Sequence, residues 1–230
     1  MNISNRVEAL RKWMQTEGID LFIVPTLDPH NSEYVPAYWK CRQWLTGFTG
    51  SAGTAVVTAT DARLWTDSRY WLQATGQLAG TPFTLMREGE DTDITPWMAE
   101  VLRANPHSRI GFAPDMMTPE CYSQWIAPLG LHPSRIVYDN DPFTLLWQER
   151  PALSMAPAEI MPDEVAGRAA ADKIRDLTAW MAERQTDRLL ITELSEICWM
   201  LNLRGSDIPY NPFVIAFLEV RTTGSHRLFV

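Results

Sequence analysis

The chain has 230 residues, 46% of them hydrophobic and 21% charged, a balance that supplies a packed core and argues against disorder. Its 20 Lys and Arg against 28 Asp and Glu give a formal net charge of −8. No basic cluster offsets that charge, so nucleic acid and anionic membrane are excluded as expected partners. Three widely spaced cysteines, Cys41, Cys121 and Cys198, form no Cys-x-x-Cys pair and fit a reducing compartment better than a disulfide scaffold.

Residues 1–8 carry charges where a signal peptide needs an apolar stretch, and the longest apolar run, Phe213 to Leu218, is too short to span a bilayer. The expected location is therefore the cytoplasm. Ser4 is placed to cap a first helix with apolar positions at Val7, Leu10, Trp13 and Met14, stopping at Glu17-Gly18. The run Asp20 to Pro25 is apolar on both faces, as a central strand covered by helices requires. A polar loop, Thr26 to Pro36, leads to a short amphipathic helix, Ala37 to Leu45. Gly47, Gly50 and Gly53 punctuate the entry to a hairpin, residues 55–58 and 63–66, that turns at Thr60-Asp61. Asp67 is expected to cap the next helix through Tyr70, Trp71, Leu72 and Ala74, followed by a strand at residues 83–86. A helix capped by Thr95 and a strand at residues 109–112 complete the alternation. Strands alternating with helices imply an α/β fold with a mixed open sheet flanked by helices.

A Pro-containing stretch, Asp139 to Pro162, reads as a linker with one short helix, Phe143 to Gln148, and marks a boundary near residue 150. Beyond it come a long helix from Asp163 to Arg184, a strand at residues 189–192, a helix from Glu193 to Leu203, and strands near residues 213–220 and 227–230. This order repeats the beginning of the chain. Trp13-Met14 before Asp20-Leu21 parallels Trp180-Met181 before Asp187-Arg188, and Trp44, Phe48, Gly50 and Ser51 lie 155 residues before Trp199, Leu203, Gly205 and Ser206. The expected organisation is one complete domain over 1–150 and the first part of a second copy over 151–230. Its last strand then has an unpaired edge that invites pairing with another copy of the chain.

Catalytic signatures are sparse. The four histidines, His30, His107, His132 and His226, show no metal-ligand spacing, and the Gly47–Gly53 loop has neither the Lys of a phosphate-binding loop nor a nucleophile elbow. The segment Asp28-Pro29-His30-Asn31-Ser32-Glu33-Tyr34 follows the carboxyl end of a buried strand, where ligands gather in α/β sheets. The same segment also reads as an Asx-type turn with His30 and Glu33 facing water. In Trp65-Thr66-Asp67-Ser68-Arg69-Tyr70-Trp71 the exception is Arg69, a guanidinium poorly placed for the helix dipole. It either reaches a peptide carbonyl, a carboxylate or another domain, or forms a surface ion pair. The tryptophans at helix positions 13, 44, 97, 180 and 199 read as core packing rather than a ligand-binding face.

Four motifs in register, Asp28-x-His30-x-Ser32-Glu33-Tyr34, Phe48-x-Gly50-Ser51-Ala52-Gly53-Thr54, Trp65-Thr66-Asp67-x-Arg69-Tyr70 and Asn202-Leu203-Arg204-Gly205-Ser206-Asp207, resemble the N-terminal region of the long, three-domain Xaa-Pro aminopeptidases (aminopeptidase P) of the creatinase/prolidase family. The resemblance implies a creatinase-like, ribonuclease-H-like N-terminal domain followed by an incomplete second copy, with the pita-bread catalytic domain and its divalent metal pair, commonly manganese, absent from these residues. It implies a chain that is inactive alone, catalytic and metal residues none, that gates and positions peptides with proline at the second position and takes part in homodimer contacts. Arg69 matches a substrate-facing arginine of this family; His30, Glu33 and Tyr70 are further candidate substrate contacts. The competing reading within the same fold is a non-catalytic peptide- or protein-binding module.

Overall fold

The computed structural model describes residues 1–230, which divide into two units, Met1–Pro29 with Tyr38–Pro151 and His30–Ala37 with Ala152–Val230. In the first unit the apolar stripe Val7, Leu10 and Met14 buries one side of helix α1, Ile3–Glu17. Asn2 caps this helix, its side chain accepting from the Asn5 N–H, so Ser4 lies two residues too far along to serve. Gly18, left-handed at φ 65°, ends it as the Glu17-Gly18 stop predicts.

Strand β1, Leu21–Pro25, is buried along its whole length. Leu21 and Ile23 join one core cluster, while Phe22 on the opposite face meets Trp13 of α1 edge-on at 5.3 Å. The expected helix over residues 37–45 is split into a 3₁₀ turn, Ala37–Trp39, and α2, Cys41–Thr46. The hairpin is β2, Thr54–Thr58, and β3, Ala62–Thr66; then come α3, Trp71–Leu78, β4, Thr84–Arg87, α4, Ile94–Arg103, and β5, Ile110–Phe112. Asp93, not Thr95, precedes α4; the Thr95 hydroxyl instead donates to the Gln124 carbonyl at 3.2 Å. A short α5, Pro119–Cys121, runs into a π-helical turn, and β6, Ile136–Val137, and α6, Phe143–Leu146, close the unit.

These strands form one six-stranded sheet in the order β4-β3-β2-β1-β5-β6. The β1–β2 and β2–β3 pairs are antiparallel and β3–β4, β1–β5 and β5–β6 parallel, giving the mixed sheet expected. Helix α4 places Ile94, Trp97, Met98 and Leu102, at helical spacing, against Leu21, Ile23, Val56 and Trp65.

In the second unit, β7, Glu159–Ile160, precedes α7, Asp163–Ala166, and α8, Ala170–Glu183. The single long helix expected over residues 163–184 is broken because Gly167 turns left-handed at φ 75° and caps α7. Next come β8, Arg188–Ile191, α9, Leu194–Leu201, β9, Leu203–Arg204, β10, Phe217–Arg221, and β11, Arg227–Phe229. β10 pairs antiparallel with both β8 and β11, so the sheet order is β11-β10-β8, and β7 pairs with β9. Met181, Ile191, Ile197, Leu218 and Val220 form the core of this unit.

Trp180 and Trp199 do not join that core: they are 47% and 57% exposed. Their helical spacing defines a face, but nothing in this unit covers it. Arg184 lies over the Trp180 ring and Lys173 over the Trp199 ring, at 4.2 and 4.4 Å from the centroids.

Candidate substrate-positioning site

The parallel strands β3 and β4 end together, Thr66 opposite Arg87, and the chain leaves β3 through Asp67-Ser68-Arg69-Tyr70. Asp67 does not cap the next helix, which begins at Trp71 with Tyr70 in the capping position. Its carboxylate is taken instead by Arg69. One oxygen accepts from the Arg69 backbone N–H at 3.0 Å and Nε at 2.8 Å, and the other accepts from Nη2 at 2.8 Å.

This bidentate pair corresponds to the surface ion-pair alternative for Arg69, and it leaves the guanidinium 69% exposed at the sheet's carboxyl end. The guanidinium holds the Asp67 carboxyl below the usual carboxylate range. Glu88, which follows β4, is pushed the other way, first by burial and then by the neighbouring charges of Asp67 and Asp93. An acidic groove of about 560 Å³, lined by Trp65, Glu88, Asp93, Thr95 and Trp125 among others, opens between the ends of these strands and the start of α4.

Tyr70 does more than pack. Its hydroxyl meets the Ser51 hydroxyl at 2.6 Å, its ring stands edge-on to Phe48 at 6.0 Å, and the Arg69 guanidinium lies 5.2 Å from its ring centroid. The Gly-rich loop 47–53 thus abuts the Arg69 turn. That loop is held from below by Arg42, a residue with no sequence signal, since one arginine in a short amphipathic helix reads as solvent-facing.

His30 and Glu33 belong to the second unit. His30 does not face water as the turn reading supposed: it is 4% exposed, its Nδ1 donates to the Thr192 carbonyl at 2.9 Å, and its ring lies 4.3 Å from that of Phe217. Glu33 is exposed and lines a cavity of about 220 Å³ with Asn31, Tyr34, Glu193 and Asn211. Glu193 is committed to capping α9, accepting from the Ser195 and Glu196 N–H groups.

No three His, Cys, Asp or Glu side chains converge as a metal-binding set. Three of the four histidines are occupied otherwise: His30 bonds the Thr192 carbonyl, His132 Nδ1 meets the Ser134 hydroxyl at 2.8 Å and His226 Nδ1 accepts from the Arg221 N–H at 3.3 Å. Burial raises all three cysteine thiols above their usual range, so none is poised as a nucleophile. No helix is long and apolar enough to cross a membrane.

Residues 6–139 and residues 149–230 each match a family described as the creatinase/prolidase N-terminal domain. Among curated proteins the chain is similar to Aminopeptidase P1 of Arabidopsis thaliana, 36% identical over 99% of this chain and 35% of the relative. Xaa-Pro aminopeptidase 2 of Homo sapiens is 35% identical over 100% of this chain and 34% of the relative. The chain therefore spans about a third of the length of these relatives. Among solved structures it is similar to an X-prolyl aminopeptidase from Caenorhabditis elegans, described as a cytosolic enzyme with a di-nuclear active site. That likeness has a TM-score of 0.90 at 29% identity and covers 100% of this chain and 39% of that one. The chain belongs to the creatinase/prolidase N-terminal domain family.

Proposed function

We propose that this chain is the N-terminal part of a metal-dependent Xaa-Pro aminopeptidase, removing the residue that precedes proline, and that it positions the peptide rather than cleaving it. The observation that carries this reading is the likeness to the X-prolyl aminopeptidase structure along the whole chain. The donor set fits the division of labour, because these residues hold no cluster suited to a metal pair. The di-nuclear centre, with manganese as its metal, belongs to a part of the longer polypeptide outside them, and no chemical step is assigned to this chain.

Arg69 is the substrate contact in this account. Its exposed guanidinium offers donors to a peptide carbonyl or carboxylate, and Asp67 fixes its direction before the peptide arrives. In a polypeptide of the relatives' length, Arg69→Ala lowers kcat/KM for a proline-second peptide about 10- to 100-fold. An unchanged value would remove Arg69 from the substrate site. Cytoplasmic residence accords with the cysteine usage and with the neighbour described as cytosolic.

The second unit, on this account, begins a second copy of the first domain. Both run helix, strand, helix, Gly turn and antiparallel hairpin, with sheet orders β3-β2-β1 and β11-β10-β8. One detail repeats at side-chain level. Arg6 of α1 donates to the Trp44 carbonyl at 2.5 Å and lies over that ring at 5.0 Å; Lys173 of α8 donates to the Trp199 carbonyl and lies over that ring at 4.4 Å. Each pair joins the helix that precedes β1 or β8 to the helix that follows that strand. In the first unit Phe143 and Trp147 cover Trp44 at 5.9 and 5.5 Å, and β5 runs alongside β1. The second unit offers matching exposed surface at Trp199 and along β8, which further chain of the same type would cover. The exposed edge strand β11 is assigned to homodimer contacts, with a dimeric mass by light scattering as the check and a monomeric mass as its refutation.

A further inference from the structure

Arg42 is 2% exposed and has no carboxylate partner. An unpaired buried guanidinium is costly, and burial pushes its pKa down to about 10, which still leaves it charged at neutral pH. Two of its donors go directly to the loop that abuts Arg69, and a third reaches that loop through Thr26. Nη1 donates to the Phe48 carbonyl at 2.5 Å, Nη2 to the Gly50 carbonyl, and Nε to the Thr26 hydroxyl at 2.8 Å, which itself donates to the Gly53 carbonyl at 2.8 Å. The guanidinium also lies over the Phe48 ring at 4.8 Å.

The far side of the same loop meets Tyr70. Phe48 stands edge-on to the Tyr70 ring, Ser51 bonds its hydroxyl, and Arg69 lies over its ring. Gly50 shows how closely these parts fit, since a Cβ there would come within 2.8 Å of Tyr70 Cδ1 and 2.9 Å of Phe48 Cε2. A continuous set of contacts therefore runs from Arg42 through Phe48, Gly50 and Ser51 to Tyr70 and Arg69.

We propose that Arg42 is a positioning residue for Arg69: its buried guanidinium fixes the loop from Phe48 to Gly53, and that loop, through Tyr70, sets the Arg69 side chain for peptide binding. The last clause rests on the reading of Arg69 as a substrate contact. An apolar residue at position 42 fills the space but leaves the turn carbonyls of Phe48 and Gly50 without their donors.

The test has a local arm and a kinetic arm. Locally, NMR of the chain labelled with ¹³Cζ-tyrosine follows the Tyr70 ring. Arg42→Gln shifts its signal, Arg42→Lys restores part of the change, and an unmoved signal in a folded Arg42→Gln chain overturns the proposal. Kinetically, in a polypeptide of the relatives' length, Arg42→Gln raises KM for a proline-second peptide about tenfold with kcat held within about twofold. Tyr70→Phe breaks the bond to Ser51 without touching the core, so it supplies the same readout if Arg42→Gln fails to fold. Both effects vanish in an Arg69→Ala background if the route runs through Arg69, and full additivity there overturns the proposal. If Arg69→Ala alone leaves KM unchanged, the substrate reading of Arg69 fails, and the NMR arm decides whether Arg42 sets the Tyr70–Arg69 pair.

Discussion

The same substitution, Gly to Ala, is expected to act with opposite sign at two positions in the first unit. At Gly50 the new methyl group would sit 2.8 Å from Tyr70 Cδ1 and 2.9 Å from Phe48 Cε2, closer than side-chain carbons approach. Phe48 cannot swing away, because it is fully buried between Arg42 and Tyr70. Overpacking of this kind costs about 1–3 kcal/mol. At Gly76, inside α3, a Cβ meets nothing within 4 Å, so alanine adds helix propensity of about 1 kcal/mol. For a chain of this size 1 kcal/mol moves the melting midpoint by about 2–4 °C. Gly50→Ala should therefore melt roughly 2–12 °C below the parent and Gly76→Ala about 2–4 °C above it, taking the same conversion. Two units need not melt together, so amide hydrogen exchange of β1, β2 and β3 should accompany circular dichroism to read the first unit alone. A Gly50→Ala chain as stable as the parent, with β2 amides equally protected, would refute the tight packing inferred for the loop.

Three further outcomes follow, two from the second unit and one from the Arg69 turn of the first. Met181, fully buried, should cost about 2–5 kcal/mol when cut to alanine, whereas exposed Trp199 should cost no more than about 1 kcal/mol, mostly its contact with Lys173; urea midpoints compare them, and equal losses would mean the Trp199 face is covered. Glu219 is held below its ordinary value of 4.5, chiefly by its hydrogen bond from Arg221 and also by Arg188 and Arg227. Its stabilisation is complete above that value and fades as pH falls through the lower folded one, so the gap in melting midpoint between the parent and Glu219→Gln should close on acidification. A gap that stays constant from neutral pH to pH 3 would remove Glu219 from the acid response. Asp67→Asn should lengthen the Arg69 side chain's range of motion and raise KM for proline-second peptides in the longer polypeptide, with little change in melting, because the pair is exposed; an unaltered KM would mean the pair does not aim Arg69.

The alternating pattern of the first 112 residues was legible because its strands are buried on both faces and its helices carry clean apolar stripes, as at Val7, Leu10 and Met14. Element ends were less so, since caps are decided by geometry that spacing does not encode: Asn2 and Asp93 stand where Ser4 and Thr95 were expected, and Asp67 turned to Arg69 rather than to a helix. Trp180 and Trp199 mark a different limit. Periodicity tells which residues share a face, not whether another element covers it. At the candidate site, Arg69 stood out because its charge conflicts with its position. Arg42 did not, because a buried arginine serving carbonyls leaves the same trace in a sequence as one facing solvent.

The most direct test of the central claim is to incubate the purified 230-residue chain with manganese and a peptide bearing proline at the second position. The account predicts no release of the first residue, with activity appearing only in a polypeptide of the relatives' length. Turnover by the chain itself that is abolished by a chelator would contradict it, and would mean that catalysis resides in these residues after all.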